Sequence, residues 1–316
     1  MNEQAAIVGA GFIGRAWAIA FARAGWDVAL WDPQPDAVES CLATVAALLG
    51  DLAEQDLLQG QAPEEVAARF RPAESLAAAL ESVTWVQENA PERIEVKHEI
   101  WAQLDRLAPP GALLASSSSA IVPSRFTEAL AGRHRCLVAH PLNPPYLIPA
   151  VELVPAPWTA QETMQRAEAV MRGVGQAPLV MRRELDGFIM NRMQGALLEE
   201  AFRLVADGYC TVEDVDSGLR DGLALRWSFM GPFETIDLNA PGGVADYVRR
   251  YQGIYERLFP SMQRRVDWAG PVLETVEGQR RERLPEAALA ERLRWRDRRL
   301  MALAAHKRQA RQDIGE

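Results

Sequence analysis

The sequence predicts an α/β half of alternating strands and helices followed by an all-helical half. Two observations carry this. Short apolar runs alternate with helical patterns from residue 5 to about residue 181, and beyond Asp186 and Gly187 the β-branched runs stop while helical periodicity continues. The expected parts are residues 1–187 and 188–316.

Residues 5–8 (AAIV) read as a short strand with a tight glycine turn behind it. A helical pattern runs over 12–24, Gly25 stops it, and 27–31 (DVALW) read as a second strand ending at Asp32. Strand, turn, helix, strand implies parallel strands joined by a right-handed crossover. A helix is expected over 37–49, strands over 83–87 and 112–115, and a helix over 92–107 between them. Further strands are expected over 136–139, 151–154 and 178–181. The second half reads as helices over 187–206, 211–219, 232–238, 243–258 and 285–307.

The chain has 316 residues, enough for a sizeable core, and a net charge of −9 that argues against nucleic acid as a partner. Arginines gather in the last third, but acids are interleaved with them, the pattern of solvated helical faces. Cys41, Cys136 and Cys210 are scattered and outside any metal-ligand spacing, so they read as buried thiols in a reducing compartment, with no metal site. Neither a signal segment nor an apolar run of membrane-spanning length is visible. A cytoplasmic protein with no membrane partner is expected.

Gly9, Gly11 and Gly14 (GAGFIG) stand after the first strand and open the first helix. The first glycine permits the turn, the second lets backbone approach a pyrophosphate, and the third lets helix pack on strand. The helix start at Phe12 and Ile13 offers unpaired N–H groups to the anion. Asp32 lies eighteen residues after Gly14, at the end of the second strand. A carboxylate there bonds ribose hydroxyls and repels a 2′-phosphate, so the expected cofactor is NAD, bound to a Rossmann-type domain.

His140 follows the apolar run 136–139, at a strand end where such a sheet places its chemistry. Glu152 sits among Val151, Leu153 and Val154, where a carboxylate needs a partner, and a histidine would be one. The pair suits a general base oriented by a carboxylate. Hydroxyls of the run 116–119 (SSSS), Ser117 and Ser119 among them, can bond a substrate oxygen; the run can equally be a turn capping a helix near Ser124. Asn191, bracketed by Ile189, Met190 and Met193, can bond across a domain interface or cap a loop. Arg226, in the apolar stretch ALRWSF, suits carboxylate binding or a surface ion pair.

These features together resemble the L-3-hydroxyacyl-CoA dehydrogenase superfamily. The resemblance implies that His140 is the general base, Glu152 its partner, and Ser119 and Asn191 the groups that bind the substrate oxygen. It also implies that Glu88 and Lys97, in VQENAPERIEVK, contact the nicotinamide end of the cofactor, and that the helical half forms a homodimer. The apolar stripe Ala196, Leu197, Ala201, Leu204 and Val205 is compatible with that dimer. SSSSAIVPS, VAHPLNPPYLIPAVELVP and DGLALRWSFMGPFETIDLNAPGG resemble more closely the lambda-crystallin branch, the L-gulonate 3-dehydrogenases. The chain departs from the CoA enzymes at Ser117, where asparagine is usual, and at the longer segment 224–230.

Residues 33–68 contain no lysine or arginine but seven acids, and would repel the CoA phosphates that this segment helps to hold in the CoA enzymes. The expected substrate is therefore a small free 3-hydroxy acid. A hydroxyacyl-CoA thioester is one alternative. L-carnitine, with Trp227 and Tyr146 as aromatic walls for its cation, is another.

Overall fold

The computed structural model describes residues 3–315. Its strands are β1 (Gln4–Val8), β2 (Asp27–Trp31), β3 (Phe70–Pro72), β4 (Trp85–Glu88), β5 (Leu113–Ser116), β6 (Cys136–Pro141), β7 (Ala150–Pro155) and β8 (Ala177–Val180). They form one sheet in the order β3-β2-β1-β4-β5-β6-β7-β8. All neighbours are parallel except β6 and β7, which run antiparallel. The order reverses between β1 and β4, so the carboxyl ends of these two strands flank the crevice where open α/β sheets bind ligands.

Helices α1 (Phe12–Arg23), α2 (Ala37–Glu54), α3 (Pro63–Ala67), α4 (Leu76–Leu80), α5 (Ile94–Leu107), α6 (Ser124–Thr127) and α7 (Gln161–Gly173) accompany the sheet. Both faces of the sheet are packed, which explains the unbroken apolar strands. Ala5 and Ile7 point into one core with Trp17, Phe21 and Leu49, and Ala6 and Val8 point into the other with Val86, Trp101 and Phe126. The two-residue period of a strand thus supplies both cores from one run.

The second half is α8 (Met190–Ala206), α9 (Val212–Ser217), a π-helical turn over Gly218–Leu223, α10 (Ala224–Trp227), α11 (Pro232–Leu238), α12 (Gly243–Met262), α13 (Pro271–Arg283) and α14 (Leu289–Asp313). The chain divides into two units, residues 1–190 with 295–316, and residues 191–294. The first unit runs three residues past the boundary expected near 187 and also takes in 295–316. Most of α14 returns to the first unit because Met301 buries itself in the core containing Trp17 and Leu49, with Leu300 and Ala304 packed against it. Arg308 bonds Asp56 from the same helix.

Met301→Ala should destabilise the protein by about 2–4 kcal/mol, the usual range for truncating a fully buried methionine. Urea unfolding followed by tryptophan fluorescence checks this, and a loss well below that range would mean that α14 is only loosely attached.

Candidate active site

The glycine turn at the end of β1 shows why each glycine is there. Gly9 has φ +94°, and a Cβ on it would meet the Asn89 carbonyl oxygen at 3.0 Å. A Cβ on Gly14 would lie 1.9 Å from the Gly9 carbonyl oxygen, so α1 could not sit so close to its strand. A Cβ on Gly11 would meet nothing within 4 Å: it faces open space where an anion can approach backbone. Helix α1 has no side-chain cap and no acid in its first turn, which leaves its first amides open to an anion. Phe12 is exposed with Arg15 over its ring, and Ile13 packs partly against the core.

Beside this turn lies a cleft of about 550 Å³ lined by Gly9, Gly11, Asp32, Gln34, Asn89 and Ile100, among others. A glycine cradle, an uncapped helix start and a carboxylate on one cleft fit a dinucleotide. Asp32 has a second task, because its carboxylate accepts the Ala10 N–H at 2.7 Å and the Gln34 N–H at 2.9 Å. It therefore fixes the glycine turn as well as facing the cleft. Asn89 is a lining residue that sequence reasoning missed; its place beside Gly9 at the reversal of strand order was the available signal.

Expected at the cofactor, Glu88 and Lys97 are instead sealed inside the first unit. Lys97 Nζ bonds both Glu88 oxygens at 2.9 and 3.0 Å, and the pair is 0–1% exposed. Ser116 Oγ and Trp101 Nε1 donate to Glu88 Oε2. A strand-end acid whose lone pairs are filled from the core side has no surface left for a ligand. Ser117 is a second correction. Its hydroxyl accepts from Trp17 Nε1 and Gln87 Nε2 and donates to Asn89 Oδ1, which uses its full hydrogen-bonding capacity. Ser117 ties β4, β5 and α1 together and is not available to substrate. Ser119 is exposed at the same edge of the sheet.

Antiparallel pairing sets His140 directly opposite Glu152. His140 Nδ1 lies 2.7 Å from Glu152 Oε2, and both residues are buried. Glu152 Oε1 accepts the Ile189 N–H at 2.6 Å and the Met190 N–H at 2.8 Å. With two amides already donating to it, the carboxylate is an acceptor, so Nδ1 donates and Nε2 carries the lone pair. Gly187 (φ +75°) and Phe188 (φ +49°) both turn left-handed to aim those amides, a costly conformation for phenylalanine. The Phe188 ring packs 5.4 Å from the imidazole. Phe188 is a residue beside His140 that the sequence did not single out.

Asn191 and Arg226 belong to the second unit. There Arg226 is half-buried on α10, and its Nε and the neighbouring Trp227 Nε1 are buried donors without a partner. Among the described residues no group of three or more His, Cys, Asp or Glu could hold a metal, and no helix is long and apolar enough to cross a membrane.

Family models described as 3-hydroxyacyl-CoA dehydrogenase, NAD binding domain, and 3-hydroxyacyl-CoA dehydrogenase, C-terminal domain, match residues 4–185 and 187–278. A lambda-crystallin homolog of Bos taurus is 42% identical over 307 residues, covering 96% of this chain and 95% of that protein. An L-carnitine dehydrogenase of a Pseudomonas species is 34% identical over 304 residues, covering 94% and 92%. Among solved structures, the NAD+-dependent 5-formyl-3-hydroxy-2-methylpyridine 4-carboxylic acid 5-dehydrogenase has a TM-score of 0.81 at 25% identity, with 98% of each chain covered.

Asp32→Ala removes both a ribose acceptor and the anchor of the glycine turn. It should weaken NADH binding on the order of ten-fold or more without giving NADPH the native NADH affinity. Fluorescence titration with both cofactors measures this. Tight NADPH binding with NADH affinity retained would reduce Asp32 to a purely repulsive group.

Proposed function

The chain belongs to the 3-hydroxyacyl-CoA dehydrogenase family and is an NAD-dependent oxidoreductase acting on a CH–OH group; from that premise we propose that it oxidises the 3-hydroxyl of a small free L-3-hydroxy acid, L-gulonate-like, to the 3-oxo acid. The observation that carries the choice of a free acid is a second cleft, of about 630 Å³, on the other side of Asp32. Its lining includes Asp32, Glu39 and Glu74 and contains no cation. Farther along the same segment, Asp51 of α2 and Asp56 just beyond it are paired with Arg298 and Arg308 of α14, so those arginines are already engaged. The phosphates of a CoA thioester would meet negative charge there.

The bound cofactor supplies the hydride acceptor. His140 Nε2 takes the hydroxyl proton, and Glu152 holds the other ring nitrogen and stabilises the charge that appears on the imidazole. Glycines 9, 11 and 14 with Asp32 seat the dinucleotide. In this reading Ser119 and Asn191 hold the substrate oxygen and Arg226 grips the carboxylate as a bidentate donor. A second reading, oxidation of L-carnitine, is favoured by the Pseudomonas relative and keeps the free 3-hydroxy acid. It needs an aromatic wall for the cation. Tyr146 does not provide one, because it is buried, burial raises its phenol, and its backbone carbonyl accepts from Arg23.

The reading includes a homodimer formed through the helical unit. Along α12, Val248, Tyr251, Ile254, Tyr255, Leu258 and Phe259 each expose over a third of their surface, an apolar stripe that water would not favour. Of the stripe expected on α8, Leu197 is exposed but Val205 is buried. It also includes a cytoplasmic setting, in keeping with unpaired cysteines. Burial raises the Cys41 and Cys136 thiols to about 11 and about 12, leaving them protonated.

NADH formation with L-gulonate, L-3-hydroxybutyrate, L-carnitine and 3-hydroxybutyryl-CoA tests the substrate class. Turnover of a free acid and none of the thioester is expected; turnover of the thioester alone would overturn the choice. With the accepted acid, His140→Ala should abolish turnover while NADH still binds, and a loss of cofactor affinity instead would contradict its role as base. Arg226→Ala should chiefly raise KM, and an unchanged KM would remove it from the substrate site. Light scattering should give twice the chain mass, and the monomer mass would contradict the dimer.

A further inference from the structure

The serine-bearing loop after β5 is held from two directions, and its outer anchor lies outside every role assigned above. From below, the Ser118 N–H donates to Ser116 Oγ at 3.1 Å, and Ser116 in turn donates to the buried Glu88. From outside, three donors converge on one oxygen of Glu92. Ser118 Oγ lies 2.5 Å from Glu92 Oε1, the Ala120 N–H 3.0 Å and the Ile121 N–H 3.1 Å. These donors stand immediately before and after Ser119.

We propose that Glu92 is a positioning residue for the reaction: a single carboxylate oxygen clamps the chain on both sides of Ser119 and so sets where that hydroxyl meets the substrate oxygen. The proposal rests on the reading of Ser119 given above. A carboxylate suits the task because its charge strengthens every bond that it accepts, roughly two-fold over a neutral amide oxygen. Burial alone would raise the Glu92 carboxyl, but the bonds from Ser118, Ala120 and Ile121, with the Lys97 charge, outweigh it and hold the group below its usual value. The clamp is therefore charged at neutral pH. The Ser118 hydroxyl also accepts the Ile121 N–H at 3.0 Å, which closes a small ring around Ser119. Hydride and proton transfer depend steeply on alignment, so a loosened loop costs rate more than affinity.

A double-mutant cycle with the full-length protein tests this, using the accepted hydroxy acid and NAD. Ser119→Ala and Glu92→Ala should each lower kcat by roughly ten- to hundred-fold. Their costs should not multiply: once the Ser119 hydroxyl is gone, removing Glu92 should cost little more. Glu92→Gln, which keeps an acceptor oxygen, should recover part of the rate. Native kcat in Ser119→Ala would overturn the role given to Ser119 and this proposal with it. Impaired Ser119→Ala combined with native Glu92→Ala, or with costs that multiply in the double variant, would overturn the clamp alone.

Discussion

A buried carboxylate with three donors holds this site together. Glu152 is sealed from water, and a lone carboxylate in such a place would be costly unless every nearby group worked to satisfy it. His140 and the amides of Ile189 and Met190 do so. Much of the surrounding architecture serves this one arrangement. Strand β7 runs antiparallel to β6, against the habit of the rest of the sheet, and thereby brings residue 152 opposite residue 140. The chain at Gly187 and Phe188 accepts left-handed backbone to aim two N–H groups at the same carboxylate. The His140–Glu152 pair is thus a junction of a strand, its neighbour and a helix start.

The neighbouring edge of the sheet works by the same logic. Asp32 anchors the glycine turn, Ser117 joins three elements, and the Glu88–Lys97 pair supports the serine loop from beneath. Several of these polar residues are held by other protein groups, so the edge of the sheet is preorganised before a ligand arrives. Preorganisation of this kind concentrates the cost of the site in folding and leaves binding and chemistry less to pay.

The sequence revealed the parts whose signals are periodic or local. Strands buried on both faces gave apolar runs, and β2 and α11 fall on their expected residues. The glycine turn and the pairing of His140 with Glu152 were legible because a tight turn and a buried carboxylate each demand particular residue types. What the sequence hid needed three dimensions. Strand β3 is three residues long and carries an arginine, and α7 buries only Thr163, Ala167 and Met171, a stripe too thin to read. Helix α14 was expected as a helix, but its place in the first unit was not legible, because it is dense in arginine and Met301 is its one buried residue among those described. Glu88 and Glu92 stand four residues apart in one stretch, and nothing in their spacing says which faces the core and which the loop. Ser117 looked like a ligand hydroxyl until its three partners were seen.

In the proposed reaction Glu152 fixes the His140 tautomer, so that Nε2 is the atom that receives the alcohol proton. The ¹⁵N NMR spectrum of the His140 ring in the native protein tests it directly, under conditions where the imidazole is neutral. A protonated Nδ1 and an unprotonated Nε2 are expected. A proton on Nε2 would contradict it, because the ring would then present a donor where the reaction requires a base.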